Sequence, residues 1–232
     1  MLRAGLVVVA ALAAAAPALG KPTPLLTARD LDPALVLPAP PAPGSAQARA
    51  ELAELHAAEA ARSAADEADA RRDGDTKNAT IFAEVLGSRF DLSKLPATRA
   101  LLAEVRESEK AAADRGKDAF RRLRPYAVDP TLRSCKRNED LLSSYPSGHT
   151  SMAFSMGETL ARLVPEKAAP ILARAARYGQ SRIVCGQHFR SDVSAGQMLG
   201  VLIAERLMAK PEFQAAFAAA RAELVGAGVA AS

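Results

Sequence analysis

Apolar residues recur at intervals of three and four along most of the chain after residue 46, and no stretch alternates apolar and polar residues. Spacing of three and four is typical of an amphipathic helix, whereas the alternation that the chain lacks is typical of a half-buried strand. Ser, Asp and Pro mark the predicted helix starts, and Gly or a residue before Pro marks the ends. The predicted helices are Ala46 to about Arg72, Thr80 to about Leu86, Pro96 to about Arg122, Thr150 to about Leu163, Pro165 to about Tyr178, Ser191 to about Ala209, and Pro211 to about Leu224. We therefore predict an all-α fold.

Composition strengthens this prediction. Apolar residues make up 49% of the 232-residue chain, but aromatic residues only 4%, and there is no Trp. Alanine supplies much of the apolar count, which favours helices over strands. The length suits one domain with a sizeable core. The formal net charge of +4 is spread among acidic residues, so a nucleic-acid surface is not indicated, whereas a local basic pocket remains compatible with it.

The first twenty residues have the pattern of an export signal. Arg3 precedes an uncharged stretch from Ala4 to Ala18, and Ala18-Leu19-Gly20 offers small residues before a cleavage site at Lys21. A membrane anchor is the alternative, but the stretch is shorter than the roughly 20 residues that a spanning helix needs. We predict a cleaved signal peptide over residues 1–20, a periplasmic location, and no membrane span in the mature protein.

Two further regions complete the predicted domain organisation. Residues 21–45 contain seven prolines and are expected to be extended or irregular, wrapping the surface or acting as a tether. Residues 46–228 are expected to form one helical domain. The boundary follows Gly44 and Ser45, where the proline-rich composition gives way to Ala, Glu and Arg.

The chain has two cysteines, Cys135 and Cys185. An even number of cysteines in an exported protein suggests a disulfide, and this one would close a loop of about 50 residues. Two unrelated buried thiols are the alternative. Two cysteines alone are too few for a typical metal site.

Two of the three histidines lie at the ends of one stretch, Tyr145 to Asp192. His149 follows a Ser-Gly turn just before a predicted helix, where backbone N–H groups form an anion seat. At the other end, Arg182 precedes His188 and Asp192, which are four residues apart and share a face if the segment is helical.

A pair of cations precedes this stretch. Lys117 and Arg124 are seven residues apart, about two turns along one face of a helix that ends before Pro125, whereas Arg122 diverges from that face. Cations at a helix C-terminus also have an ordinary explanation, because the helix dipole favours them there. Together with the downstream stretch, however, they match the needs of phosphoryl transfer. Fixed cations stabilise the phosphoryl oxygens, a neutral imidazole attacks, and a second group protonates the leaving oxygen.

The combined pattern resembles a known signature. Its three parts are Lys117-x6-Arg124-Pro125, Pro146-Ser147-Gly148-His149, and Ser181-Arg182-x5-His188-x3-Asp192. The chain is thereby identified as similar to the type-2 phosphatidic acid phosphatase superfamily, which includes vanadium haloperoxidases. The residues flanking the second and third parts resemble the bacterial class A non-specific acid phosphatases in particular. The resemblance implies a compact helical bundle of that superfamily.

The same resemblance implies roles for the site residues. His188 would attack phosphorus to form a phosphohistidine, Asp192 would hydrogen-bond the other ring nitrogen of His188, and His149 would protonate the leaving alcohol. Phosphate oxygens would be bound by Lys117, Arg124, Ser147, Gly148 and Arg182. The resemblance to the class A acid phosphatases implies that no metal or other cofactor is needed. The expected activity is a secreted, metal-independent acid phosphatase of broad specificity, with phosphotransfer to other alcohols as a second outcome.

Several partners and alternatives follow. Small phosphate monoesters are the expected substrates, with vanadate or phosphate as inhibitors, no nucleic-acid polymer as a partner, and a homo-oligomer compatible with the family. The alternatives are a vanadium-dependent haloperoxidase and a non-catalytic phosphate-binding protein, although mere capture of phosphate would not need both histidines. A lipid phosphatase is disfavoured by the lack of membrane spans, and a serine hydrolase by the absence of a G-x-S-x-G setting around Ser147.

Overall fold

The computed structural model describes residues 24–231, which form helices joined by turns and loops, with no β-strand in that range. The α-helices are α1 (Pro33–Val36), α2 (Ala46–Ala61), α3 (Ala64–Asp75), α4 (Ala83–Leu86), α5 (Pro96–Phe120), α6 (Pro125–Val128), α7 (Gly148–Leu163), α8 (Ala168–Val184), α9 (Arg190–Met208) and α10 (Pro211–Gly226). Short 3₁₀ helices, Ala79–Phe82 and Pro165–Lys167, precede α4 and α8. The predicted all-α class is confirmed. The predicted signal peptide, residues 1–20, lies outside the described range.

Helix α7 is the centre of the bundle. It packs against α5, α8 and α9, and most of its residues are buried, Met152 and Leu160 among them. Two glycines let α9 approach it closely. A Cβ atom at Gly196 would lie 2.5 Å from the Ser147 carbonyl oxygen, and one at Gly200 would lie 2.6 Å from the Ser151 carbonyl oxygen. Because contacts that short do not occur, glycine is required where α9 crosses the start of α7.

Helix α8 is longer than predicted. The predicted end near Tyr178 was wrong, because the helix continues through Gly179 to Val184. Glycine inside a helix costs about 1 kcal/mol relative to alanine, and here packing requires it. A Cβ atom at Gly179 would lie 3.2 Å from Thr150 Cγ2 and 3.3 Å from Val193 Cγ1. Arg182 is therefore held on a rigid helix.

The predicted single helix from Ala46 to Arg72 was also wrong, because the chain breaks it into α2 and α3. Ser63 caps α3: its Oγ accepts from Asp66 N at 3.1 Å, while Asp66 Oδ2 accepts from Ser63 N at 3.0 Å. This capping box satisfies backbone donors that a continuous helix would bond internally, so it stabilises a new start. Helix α3 then extends to Asp75, beyond the predicted end, and carries Gly74 in its last turn.

The described part of the proline-rich segment, residues 24–45, packs onto the helical body. Leu26, Leu31 and Leu37 are buried in the main core, and helix α1 contacts α5. The backbone N–H of Leu26 donates to Ser108 Oγ at 3.3 Å, and the hydroxyl of Tyr145 donates to the Pro38 carbonyl. These residues thus wrap the bundle. In the range from 24 to 231, no helix is long and apolar enough to cross a bilayer.

Candidate active site

The three parts of the signature meet around one cavity of about 370 Å³. Six of the predicted site residues line it, namely Lys117, Arg124, Gly148, His149, Arg182 and His188. They come from the ends of α5, α7 and α8 and from the loops that follow α5 and precede α9. Ser147 and Asp192 do not line the cavity and lie buried behind it. Side chains separated by up to about 70 positions in the sequence are therefore brought together.

The end of α5 turns the chain so that cations face the cavity. Arg121, the C-cap residue, has a φ of 45°, in the left-handed region that non-glycine residues rarely adopt. Beyond it, Arg124 N donates to the Leu141 carbonyl at 2.8 Å, and Ser144 N donates to the Arg122 carbonyl at 3.1 Å. These two bonds fix the chain after α5 against the segment that leads into α7.

His188 is almost completely buried, with 1% of its surface exposed. Its Nδ1 lies 2.8 Å from the Ser144 carbonyl oxygen, and its Nε2 lies 2.8 Å from Arg124 Nη1. Because a carbonyl only accepts and a guanidinium only donates, Nδ1 carries the hydrogen and Nε2 keeps its lone pair. Burial, followed by the charges of Arg124 and Arg182, lowers the pKa of His188 well below its ordinary value. The ring is therefore neutral, with a nucleophilic nitrogen at Nε2.

Asp192 is arranged differently from the sequence expectation. Its Oδ2 lies 3.6 Å from His188 Nδ1, within ion-pair range, but the hydrogen bond from that nitrogen goes to the nearer carbonyl of Ser144. Asp192 Oδ2 accepts instead from Ser144 Oγ at 2.6 Å and from Phe189 N at 2.8 Å. The carboxylate thus fixes both the residue that holds the His188 ring and the backbone beside it.

Arg122, which seemed to diverge from the site, pairs with Asp192. Its Nη1 lies 2.6 Å from Asp192 Oδ1, and its Nη2 lies 2.9 Å from Glu51 Oε2. The guanidinium carbon also stands 4.2 Å from the centre of the Phe189 ring. Helical periodicity did not reveal this role, because Arg122 lies beyond the helix end and Glu51 is on α2. Only the structure shows that Glu51 is buried, so the sequence offered no signal for this contact.

His149 lies at the start of α7 and lines the cavity. Its Nε2 lies 3.0 Å from the Gly74 carbonyl oxygen, so this nitrogen carries a hydrogen. Burial lowers the pKa of His149 well below its ordinary value, and the charge of Arg182 adds to this shift. The partner, Gly74, is in the last turn of α3, which the sequence interpretation placed outside the helix.

Ser147 and Gly148 form the turn into α7. Ser147 Oγ caps the helix, accepting from Thr150 N at 3.4 Å and from Thr150 Oγ1 at 3.0 Å, which leaves its own hydrogen available to donate. Gly148 begins the helix and leaves room for a cation. A Cβ atom at Gly148 would lie 3.3 Å from Lys117 Nζ. The helix start and the end of α5 therefore meet at the cavity wall.

Arg124 and Arg182 carry unused donors. Each guanidinium has a buried Nε with no hydrogen-bond partner among residues 24–231, and each side chain is almost fully buried. Other donors of the same groups are used: Arg182 Nη2 donates to the Ala70 carbonyl, and Arg124 Nη2 donates to Ser143 Oγ at 3.1 Å. Buried donors without partners are costly, and an anion in the cavity would supply acceptors to these two residues.

The predicted disulfide is confirmed, since Cys135 and Cys185 are bonded and their Cα atoms are 4.9 Å apart. Cys135 N also donates to the Cys185 carbonyl at 3.0 Å. Both residues line the cavity, so the bridge fastens the long loop after α6 to the end of α8. Elsewhere in the described chain, no three His, Cys, Asp or Glu side chains are arranged to hold a metal ion.

Comparisons with known proteins identify relatives of this chain. A sequence profile of the PAP2 superfamily matches residues 105–214, which contain all three parts of the signature. An acid phosphatase of Zymomonas mobilis is 33% identical over 199 residues, covering 83% of this chain and 75% of that protein. A non-specific acid phosphatase of Providencia stuartii is 31% identical over 197 residues, which cover 82% of this chain and 79% of that protein. A non-specific acid phosphatase of Salmonella typhi is 33% identical over 150 residues, which cover 63% of this chain and 60% of that protein.

The helical fold of the described residues, and the meeting of the three signature parts at one cavity, agree with these matches. The chain belongs to the PAP2 superfamily. The relationship inferred from the three-part signature, and its likeness to non-specific acid phosphatases, are confirmed.

Proposed function

We propose that this chain, an acid phosphatase of the PAP2 superfamily, hydrolyses phosphate monoesters of broad specificity through a phosphohistidine at His188. The observation that carries the proposal is the state of that ring. Its Nδ1 hydrogen is bound by the Ser144 carbonyl and its Nε2 lone pair is directed at Arg124 in a cation-lined cavity. A neutral, oriented imidazole beside an anion seat is what attack on a phosphoryl group requires.

In the first step, His188 Nε2 attacks phosphorus and the bond from phosphorus to the ester oxygen breaks. His149 donates a proton to that oxygen, so the alcohol leaves neutral. In the second step, water attacks the phosphohistidine, His149 accepts its proton, and the bond from phosphorus to Nε2 breaks to release phosphate. Another alcohol in place of water gives phosphotransfer.

The cations stabilise the charge of the phosphoryl group. Lys117, Arg124 and Arg182 reach the cavity from three segments, so they surround the equatorial oxygens of the transition state. The Gly148 N–H at the start of α7 adds a donor, since the first backbone N–H groups of a helix have no partner within it. Ser147 lies behind the cavity wall, where it caps the helix that presents this donor, and its unused hydroxyl hydrogen is the predicted further donor to the phosphoryl group. Asp192, with Arg122, holds the His188 segment in place.

The proposed location is the periplasm. It is supported by the signal-like sequence of residues 1–20 and by the Cys135–Cys185 bond, because disulfides persist in oxidising compartments. Fractionation of cells expressing the full chain tests it, since activity in the cytoplasmic fraction alone would contradict export.

The function is tested with purified protein and a panel of aryl phosphates, nucleotides and sugar phosphates, with EDTA present. We expect turnover of several classes and inhibition by vanadate. Bromide oxidation with vanadate and peroxide, in the absence of phosphatase activity, would instead indicate a haloperoxidase. Stoichiometric phosphate binding without turnover would indicate a binding protein.

A further inference from the structure

The cavity holds more positive charge than the signature accounts for. Besides Lys117, Arg124 and Arg182, it is lined by Lys77, which follows α3, and by Lys136, which follows Cys135 in the loop after α6. Arg71 of α3 also lines it but is already paired with Glu67. Asp75 is the one acidic residue of the lining. A phosphoryl group carries about two negative charges near neutral pH, which the three signature cations already match. Lys77 and Lys136 are therefore surplus to the bound phosphoryl group.

The backbone on either side of Lys77 is fixed. The hydroxyl of Tyr178 donates to the Thr76 carbonyl at 2.7 Å, and Asn78 Oδ1 accepts from Thr80 N at 2.9 Å as it caps the next helix. The side chain of Lys77 therefore extends from an anchored position at the rim of the cavity.

Lys136 is anchored in a comparable way. Its carbonyl accepts from Ser134 Oγ at 2.8 Å and from Gln187 Nε2, and its neighbour Cys135 is tied to Cys185. Two lysines from different segments are thus presented to one opening by backbone that other bonds hold in place.

Neither ammonium group is neutralised. Among residues 24–231, no carboxylate lies within 4.0 Å of Lys77 or Lys136, whereas Lys117 Nζ lies 3.6 Å from Asp114 Oδ1. Partial burial lowers the pKa of Lys77, and the charges of Lys136 and then Arg106 add to that shift. The two lysines therefore stand in a shared positive field that favours an anion.

The lysine at the end of α3 lies on the leaving-group side of the site. Lys77 and His149 both line a second cavity of about 210 Å³, which also shares Lys117 and Gly148 with the first. Because His149 is the proposed proton donor to the leaving oxygen, the alcohol must extend from the phosphoryl seat past His149. That path leads to the rim where Lys77 stands.

We propose that Lys77 and Lys136 bind a second anionic group on the leaving alcohol. The preferred substrates are then phosphate monoesters whose alcohol carries a carboxylate or another phosphate. This inference rests on the proposed phosphatase function and names its substrate class.

The test compares substrates that differ only in that second charge. 3-Phosphoglycerate is matched with glycerol 3-phosphate, and fructose 1,6-bisphosphate with fructose 6-phosphate. For each pair, we measure the ratio of kcat/KM for the anionic alcohol to kcat/KM for the neutral one. In the wild-type protein we expect ratios of about 10 at low salt that decline as salt screens the charges.

Lys77→Gln and Lys136→Gln should each lower these ratios by about twofold to fivefold, the usual range for a partly exposed charge pair. The double substitution to Glu should invert them. Lys94→Gln is the matched control, because Lys94 is 83% exposed, lies outside the cavity and pairs with Asp91. Its ratios should equal those of the wild type.

Turnover of p-nitrophenyl phosphate distinguishes failure of the proposed substrate class from failure of the proposed phosphatase function. If wild-type protein turns it over but the ratios are close to one, or stay unchanged in the lysine variants, the substrate class is wrong and the phosphatase function stands. Absence of turnover on every phosphate ester would overturn both. If the kcat/KM ratios of the carboxylate pair and of the phosphate pair change alike in the lysine variants, charge alone is recognised.

Discussion

Arg124 Nη1 lies 2.8 Å from Nε2 of His188, so the proposed nucleophile contacts a cation that we also propose to bind the substrate. Arg124 Nη1 also donates to the Gln187 carbonyl at 3.0 Å, and Arg124 Nη2 donates to Ser143 Oγ at 3.1 Å. An incoming phosphoryl oxygen would compete for the Arg124 donor and release the lone pair of His188. The cation would thereby hold the imidazole neutral before substrate arrives and bind the phosphoryl group afterwards.

Arg124→Lys should lower kcat/KM by about 100-fold or more. Lysine keeps the charge but loses the planar set of donors that joins Gln187, Ser143 and His188, and loss of one oxyanion donor typically costs this much. Steady-state kinetics on p-nitrophenyl phosphate measure the change. Arg72→Lys is the control, since Arg72 is 70% exposed outside the cavity. Near wild-type kinetics for Arg124→Lys would contradict a shared role in binding the phosphoryl group.

His188→Ala should reduce turnover by at least about a thousandfold while the fold is kept, because no other lone pair can form the intermediate. Kinetics and thermal unfolding are measured together. His56→Ala is the matched control, because His56 lies on α2, where it contacts Asp129 at 2.9 Å away from the cavity. Near-normal phosphatase activity of the His188 variant would contradict its role as the nucleophile.

His149→Ala should affect substrates according to their leaving groups. Loss of a general acid costs about 10²-fold to 10⁴-fold where the alcohol needs a proton. The loss should be much smaller for p-nitrophenyl phosphate, whose leaving group is stable as an anion. The measurement compares kcat/KM for that ester with kcat/KM for glycerol 3-phosphate. Equal losses on both would assign His149 to phosphate binding instead of proton transfer.

Activity should be highest at acid pH. Catalysis requires protonated His149 and neutral His188, and burial together with nearby arginines lowers the pKa of both. As the pH rises through the pKa of His149, its acid form is lost and the rate falls. The depressed pKa of His188 keeps that ring neutral well into the acid range, so the rate falls on the acid side only when His188 takes up a proton. A kcat/KM profile that climbs steadily into the alkaline range would contradict these assignments.

Removing the disulfide should lower stability. Cys135→Ser combined with Cys185→Ser releases a loop with a sequence separation of 50, for which chain entropy gives up to about 4 kcal/mol. Urea unfolding measures the change, and reduced wild-type protein should match the variant. We also expect a lower kcat/KM, because the bridge holds Lys136 and the end of α8 at the cavity. An unchanged urea midpoint would show that other contacts already fix this loop.

Local signals predicted much of the fold. Pro96 and Pro211 occupy the first helical positions of α5 and α10, and Ser147 caps α7. These signals act over a few residues, so the sequence displays them directly. Where local and distant requirements disagreed, prediction failed. The alanine-rich run containing Ser63 looked continuous, and Gly179 looked like a helix end until its packing against Thr150 was known.

The sequence by itself determined the all-α class and the family, and it predicted the disulfide and six of the residues that line the cavity. These rest on short spacings and on residue types with a narrow chemical range. Only the tertiary structure decided which atoms meet. It shows that the Nδ1–H of His188 donates to the Ser144 carbonyl and that Arg122 pairs with Asp192. It also places Lys77 and Lys136 at the rim of one cavity. Such contacts join positions about 45 to 70 residues apart, and packing of helices α3, α5, α7, α8 and α9 sets them, because helical periodicity carries no information across such distances.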